Sequence, residues 1–397
     1  MRKLPQMVCS IAASIHVEEF ATSISNFGSN FYQQVIQSES GNLILSPYSV
    51  ASALAFLLQA SNGTTFDQMK NGLHLSGNKS SIADQYSDYL ESLQKRANSS
   101  TLSVANQLYV RHDYKLNETF QDVAVRKFSA GVVPVDFLDR TKTAEKINRF
   151  VQEKTNDKIK EIVKPNSFEN ETRLFLVNAI YFKAKWEQKL TKTITGSFYT
   201  KRGFIFMNSA PADFMHSEHC MFNYGTLSDL DASALEMKYA NSDFSFLIVL
   251  PDSYTGLSSL ENQLQNYALE KITDQMWKQV VTVTIPKFKI KSEMILNNIL
   301  RMMGMSEMFD GSKADFSGLL VSKERLYVSD AIHMAYIEID GEGAEAAAVT
   351  VIKVETPYDN FDPPPPPIFV ADHPFVFFIL DDKTKTPIFS GRFIQPN

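Results

Sequence analysis

The stretch from Ile339 to Pro367 constrains this chain more than any other. It runs Ile339-Asp-Gly-Glu-Gly-Ala-Glu-Ala-Ala-Ala-Val-Thr-Val-Ile-Lys-Val-Glu-Thr-Pro-Tyr-Asp-Asn-Phe-Asp, then Pro363 to Pro367. Side chains of a strand alternate between faces. One face is then Ala344, Ala346, Ala348, Thr350, Ile352, Val354 and Thr356, without a charge. The other is Gly343, Glu345, Ala347, Val349, Val351, Lys353 and Glu355, which holds all three charges. A slip of one residue would bury those charges, so one register is strongly specified. Yet no tight turn follows to pair this strand with a neighbour. Tyr358-Asp-Asn-Phe-Asp and a proline tract follow instead, and prolines cannot donate to a ladder. The segment has the composition of a buried strand at its start and of an exposed loop at its end.

A nucleotide reading competes. Gly341-Glu-Gly343-Ala-Glu-Ala346 fits G-x-G-x-x-A after the strand-like Tyr336–Asp340, the pattern that lets a backbone approach a pyrophosphate at a helix start. A helix must then follow. The β-branched run Val349-Thr-Val-Ile-Lys-Val354 disfavours one, and a lone glycine fingerprint is weak.

Bulk properties exclude several classes. The 397 residues suit one large domain or two or three ordinary ones, and a net charge of -6 offers no phosphate-binding surface, so no nucleic acid is expected. Two cysteines, Cys9 and Cys220, make no disulfide framework. No run of about 18 apolar residues is present, so no membrane span is expected. Arg2 and Lys3, the apolar Met7–Ala13 and the small Ala12-Ala-Ser14 sketch a signal peptide, interrupted by Pro5 and Gln6. A frayed N-terminus over residues 1–16 is the plainer alternative. Sequons stand at Asn62, Asn78, Asn98, Asn117 and Asn170. Together these favour a secreted glycoprotein over a cytoplasmic chain.

Taken in order, Val17, Phe20, Ile24, Phe27, Phe31 and Val35 recur at helical spacing. Ser46-Pro47 reads as an N-cap and first helical position for an apolar helix over Val50–Ala60. Helices are expected over Thr64–Leu73 and Ser80–Arg96. The latter carries Asp84, Asp88, Glu91, Lys95 and Arg96, no basic stripe, which argues against heparin binding there. Strands are expected over Leu102–Val110, Val132–Phe137, Arg173–Phe182, Ala234–Met237, Phe244–Leu250, Val280–Ile290, Leu326–Ile339, Phe375–Leu380 and Ile388–Ile394. Further helices are expected over Phe120–Phe128, Thr141–Ile162 (capped by Thr141 or Thr143), Leu257–Ile272 and Ser292–Met303, the last closed by Gly304. Helices cluster early and strands late without a linker, which points to a single α+β domain.

No G-x-S-x-G or H-E-x-x-H occurs, and nothing marks the chain as an enzyme or assigns a cofactor. His216-Ser-Glu-His219-Cys220 offers metal-ligand types, but the spacing equally suits a solvated segment, so no metal is assigned. Met302, Met303, Met305 and Met308 read as core filling. The prolines read as a stiff spacer rather than a peptide-domain ligand.

From about Val17 to Pro396 the chain resembles the serpin family. The resemblance rests on Asn42-Leu-Ile-Leu-Ser-Pro-Tyr-Ser-Val50, Ile147-Asn-Arg-Phe-Val-Gln-Glu-Lys-Thr155, Leu176-Val-Asn-Ala-Ile-Tyr-Phe-Lys-Ala-Lys-Trp186 and Ile285-Pro-Lys-Phe288. It continues through Ala314-Asp-Phe-Ser-Gly-Leu319, Val328-Ser-Asp-Ala-Ile-His333, Gly343-Ala-Glu-Ala-Ala-Ala348, Ala371-Asp-His-Pro-Phe375 and Phe389-Ser-Gly-Arg392. Phe369-Val-Ala-Asp-His-Pro-Phe is similar to arthropod members. The resemblance implies three β-sheets, eight or nine helices and an exposed reactive loop over about 341–367. It implies a monomeric suicide-substrate inhibitor that traps a serine protease as a covalent acyl complex while the cleaved loop inserts into the main sheet. A non-inhibitory carrier or substrate-like serpin is the alternative.

The resemblance assigns the hinge to Gly341, Glu342, Gly343, Ala344, Glu345, Ala346, Ala347, Ala348, Val349 and Thr350. It assigns the shutter, where the sheet opens, to Ser46, Ser49, Asn178 and His333, and its upper opening to Trp186 and Lys287. Departures from the family pattern are Gly341 for a usual Glu, Ala344 for Thr or Ser, and Phe150, Asp157, Ala184 and Met334 for Trp, Gly, Gly and Lys. The loop is several residues longer than in typical inhibitory members. The window for cleavage, 357–363, holds no Arg or Lys. Tyr358-Asp359 suits a chymotrypsin-like apolar pocket, an elastase-like enzyme being the near alternative, and Phe361-Asp362 is the second choice of bond.

Overall fold

The computed structural model describes residues 4–396 except 98–99, 191, 203–205, 323 and 342–364; at 4–16, 201–202 and 206–207 it describes backbone only. Nine α-helices and fourteen strands are present among the described residues.

Five strands form the main sheet in the order Phe288–Ile295, Val328–Ile339, Leu174–Lys183, Thr101–Arg111, Gly131–Val135. Its two central strands, Val328–Ile339 and Leu174–Lys183, run parallel and pair directly from Val328↔Leu174 to Ile337↔Phe182. Leu174–Phe182 is buried throughout, as its continuous apolar run requires. Its side chains divide by parity: Phe175, Val177 and Ala179 enter one core, Leu174, Leu176, Ile180 and Phe182 another. The first core lies under the helix Arg140–Lys154, through Ala144, Ile147 and Val151. The second lies between the main sheet and a nine-stranded sheet, and takes in the wholly buried helix Pro47–Leu58.

The third sheet expected from the resemblance is continuous with the second. The 22-residue strand Phe206–Leu227 pairs Lys192–Arg202 and Trp277–Pro286 along part of its length and Ala232–Lys238 near its end. Helices Leu257–Leu264 and Leu269–Asp274 cover the far side of that sheet, over a third apolar cluster.

Several boundaries differ from expectation for identifiable reasons. The helix expected over Thr141–Ile162 is Arg140–Lys154. Asp139, not a threonine, caps it by accepting the Lys142 N–H at 3.3 Å, and Asn156 and Asp157 end it at φ 50° and 62°. Positive φ favours glycine, which accounts for the residue that the family usually has at Asp157. The helix expected over Leu257–Ile272 breaks where Ala268 is extended, at ψ 132°. The strand expected over Val280–Ile290 is two strands in different sheets, Trp277–Pro286 and Phe288–Ile295. The helix expected over Ser292–Met303 is only Asn297–Met302, because Phe288–Ile295 alternates buried and exposed residues as an edge strand. Gly304 follows that helix at φ 87°. The polar strands Lys192–Arg202 and Phe206–Leu227 carried no apolar alternation and were not anticipated.

Candidate functional site

Strand Val328–Ile339 ends at Asp340 and Gly341, and the chain returns at Pro365. There Ile368–Val370 pairs in parallel with Thr282–Thr284, and the Thr282 N–H donates to the Pro367 carbonyl. Both ends of segment 342–364 are therefore tied to sheets. The hinge residues Glu342 to Thr350 and the candidate bonds at Tyr358, Asp359, Phe361 and Asp362 lie outside the described residues.

The seam between the two parallel strands is bridged by side chains. His333 and Asn178 are register partners across it, and Asn106 is the partner of Asn178 on the next strand. All three are buried and face the inter-sheet core. The backbone N–H of Ser46 donates to His333 Nε2 at 3.2 Å, which leaves Nδ1 to carry the proton and donate to Asn178 Oδ1 at 2.5 Å. Asn178 Nδ2 donates to Ser49 Oγ at 2.6 Å and to Asn106 Oδ1 at 2.5 Å. Asn106 Nδ2 donates in turn to Ser52 Oγ at 3.3 Å. Ser46 Oγ accepts the Ser49 N–H as the helix cap and donates to the Ile388 carbonyl at 2.6 Å. So the structure brings Ser46, Ser49, Asn178 and His333 into one directional relay from the buried helix through three strands. Asn106 and Ser52 complete it. Sequence reasoning missed Asn106, although a lone amide on the apolar parity of Leu102–Val110 was the available signal.

Burial lowers the His333 pKa to about 3, so the imidazole is neutral at physiological pH. Near the same seam, burial raises the Asp330 carboxyl to about 6, against the hydrogen bond from Asn297.

At the upper end of the seam Trp186 Nε1 donates to the Asp340 carbonyl at 2.6 Å. The Trp186 ring stacks on Tyr239 with centroids 4.5 Å apart. Lys287 Nζ donates to Thr193 Oγ1 at 2.8 Å. Gly341 packs so closely that a Cβ there would stand 3.0 Å from the Leu190 carbonyl; the bare backbone thus closes against the segment after Trp186. Two residues before Asp340 on the same strand, Glu338 pairs with Lys289 at 2.7 Å and Lys158 at 3.4 Å. Burial alone would raise its pKa, but these two cations hold it low. Met334 and Phe150 pack in the core beneath helix Arg140–Lys154.

Other candidates take structural places. His216 lies in the long strand and bonds Thr284 Oγ1 at 2.9 Å, while His219 sits at a bulge with φ 58°. On helix Lys79–Ala97, Lys95 pairs with Glu91 and Arg96 turns inward to the buried Asp381 at 2.5 Å. Met305 and Met308 are fully buried, whereas Met302 is exposed. Among the sequons, Asn78 and Asn170 are exposed; Asn62 is half-buried, bonded to Ser317 and Lys79. Asn117 caps helix Glu118–Phe128. Asn98 lies outside the described residues. No described helix is long and apolar enough to cross a membrane.

Comparison with known proteins matches residues 22–396 to the family model for serpins, described as serine protease inhibitors. Leukocyte elastase inhibitor A of Rattus norvegicus is 33% identical over 96% of this chain and all of its own length. Serine protease inhibitor 42Dd of Drosophila melanogaster is 33% identical over 92% of this chain and 94% of its own. The crystal structure of Serpin48 from the insect Tenebrio molitor superposes with a TM-score of 0.83 at 31% identity, covering 96% of this chain and 98% of that one.

Proposed function

This chain belongs to the serpin family, and from that premise we propose that it is a suicide-substrate inhibitor of a chymotrypsin- or elastase-like serine protease. The observation that carries this reading is the directly paired parallel seam that feeds segment 342–364. A segment that leaves Val328–Ile339 and folds back must run antiparallel to it. Placed in the seam, it would be antiparallel to both neighbours. One parallel ladder would become two antiparallel ones, which are the more stable per residue. The alternation from Ala344 to Thr356 then sets the small, neutral side chains on the core face and Glu345, Lys353 and Glu355 on the other.

In the proposed cycle the protease serine oxygen attacks the Tyr358 carbonyl carbon, and the amine of Asp359 leaves as the new N-terminus. The acyl-enzyme bond remains, because insertion carries the protease away before water can attack. Opening the seam breaks the His333–Asn178 bond and the Trp186–Asp340 bond, so this relay and this latch hold the uncleaved form until cleavage releases the strand. Gly341 stands where the family usually has the acidic partner of Lys287; among the described residues that lysine donates to Thr193, and the adjacent Glu342 is the candidate substitute for the missing acid.

The relatives support an apolar-site target: one is named an elastase inhibitor. Incubation with chymotrypsin should give an SDS-stable complex and release a C-terminal peptide beginning at Asp359, read by mass spectrometry. Another N-terminus refutes the assignment of the bond. Clean turnover without complex means the non-inhibitory reading instead.

The family has both secreted and intracellular members. The exposed sequons Asn78 and Asn170 favour secretion with glycans there, and Asn62 is the poorer acceptor. Expression through a secretory route followed by amidase treatment tests this by mass. No mass loss refutes it.

A further inference from the structure

The aromatic cluster at the upper end of the seam holds a polar group that no described neighbour satisfies. Tyr239 is 3% exposed, and no described residue gives its hydroxyl a hydrogen-bond partner. Buried polar groups are as a rule bonded, and comparably buried tyrosines here follow that rule. The Tyr32 hydroxyl donates to Glu261 at 2.8 Å and the Tyr89 hydroxyl to Asp381 at 3.0 Å. Tyr239 is nevertheless held firmly. Trp186 stacks on its ring, and Phe182 meets the ring edge-on with centroids 5.0 Å apart. Its backbone forms an antiparallel bridge with Trp186. On either side the Glu187 N–H donates to the Lys238 carbonyl at 2.9 Å and the Ala240 N–H to the Lys185 carbonyl at 2.7 Å. Burial, and after it the charge of Asp340, raises the hydroxyl pKa well above the usual tyrosine value, so the group keeps its proton and has a donor to place.

This hydroxyl lies where the two central strands end. Phe182 is the last register partner on one strand, opposite Ile337, and Trp186 bonds the Asp340 carbonyl at the end of the other. The backbone bridge ties Trp186 to Tyr239, so in an opening seam that pair stays together and Asp340 is the side that parts. We propose that Tyr239 is a release residue for the seam: its hydroxyl is buried unbonded while Trp186 is latched to Asp340, and parting of the strand end opens it to a partner. A buried, unbonded hydroxyl carries a desolvation cost that a phenylalanine ring does not. The closed seam therefore holds a penalty that opening removes. It acts against the bond between His333 and Asn178 and sets how readily the strands separate. The inference rests on the inhibitory reading above for the use of that opening and deepens it; the penalty itself belongs to the closed structure.

Tyr239→Phe removes the hydroxyl and keeps the ring. Hydrogen–deuterium exchange of the uncleaved chain should then slow about tenfold in peptides covering Leu174–Lys183 and Val328–Ile339, and the thermal midpoint should rise. Tyr86→Phe is the control, because the Tyr86 hydroxyl is likewise buried without a partner among the described residues, but on helix Lys79–Ala97 rather than at the seam. It should leave exchange in the two seam strands unchanged. Equal slowing there by Tyr86→Phe overturns the proposal, because a merely structural gain would do the same. Seam exchange that is unchanged or faster in Tyr239→Phe, or a lowered midpoint, also overturns it. Slower seam exchange in Tyr239→Phe, with no SDS-stable complex between the wild-type chain and chymotrypsin, supports the release role and sinks the inhibitory reading alone.

Discussion

Acid should loosen the seam through His333, and the size of the effect follows from its surroundings. Nε2 accepts the Ser46 N–H, so a proton added there would face another N–H in a site without solvent. Burial accordingly lowers the pKa to about 3 from an unfolded value of 6.5. Between those two values the unfolded chain binds a proton that the folded chain refuses. The stability contribution is therefore complete above pH 6.5 and is lost as pH falls towards 3. The slope is about 1.4 kcal/mol per pH unit, which gives about 2 kcal/mol by pH 5 and about 5 kcal/mol by pH 3. Asp330 acts in the opposite direction. Its folded pKa of about 6 lies above the 3.8 usual for an aspartate in an unfolded chain, so the folded chain gains a proton first and acid relieves its burial between those values. That carboxyl is partly exposed, and solvent screening shrinks its offset. The variant His333→Gln keeps a donor and an acceptor but cannot ionise. Denaturant unfolding at pH 7, 6, 5 and 4 should show the wild-type chain falling relative to this variant by about 2 kcal/mol between pH 7 and 5. Parallel profiles for the two proteins would refute the assignment of a neutral, acid-sensitive imidazole at the seam.

Other expectations are equally direct. Ala346→Glu should abolish covalent complex with chymotrypsin and leave rapid cleavage of the loop, whereas Glu345→Lys should leave complex yield unchanged; full complex from Ala346→Glu contradicts the parity argument. Asn106→Ala removes one acceptor of Asn178 Nδ2 and the donor to Ser52 Oγ, and should destabilise the chain by about 1–3 kcal/mol, measured by denaturant midpoint. Trp186→Phe keeps the stacking on Tyr239 but loses the bond to Asp340, and should cost about 1 kcal/mol and speed loop insertion without cleavage, followed as loss of inhibitory activity on warming. Met334→Lys buries an ammonium beneath helix Arg140–Lys154 and should lower the thermal midpoint, with the loss smaller at pH 11 than at pH 8.

The amphipathic pattern of Val17–Val35, the cap at Ser46-Pro47 and the continuous apolar run before Lys183 located their elements because each is a local consequence of helix or strand geometry. Where signals conflicted, the reading failed. Lys289 to Ile295 alternates like a strand, yet its charged residues and neighbouring Leu296–Leu300 also suit a helix; the pairing with Val328–Ile339 decided for the strand. Pro286-Lys287 divides one apparent strand between two sheets, a choice made by partners far away in sequence. The resemblance supplied most of the relay, but Asn106 became visible only when register placed it opposite Asn178.

By itself the sequence determined which face of the segment after Gly343 is fit for burial, because alternation is a property of any extended chain, and it determined the absence of a basic residue near the candidate bond. Only the tertiary structure decided that the strands nearest that segment are parallel and already paired to each other, that His333 carries its proton on Nδ1, and that the Tyr239 hydroxyl is buried near Asp340 without a partner among the described residues. Those facts depend on contacts between residues more than a hundred positions apart, which no local pattern of side chains encodes.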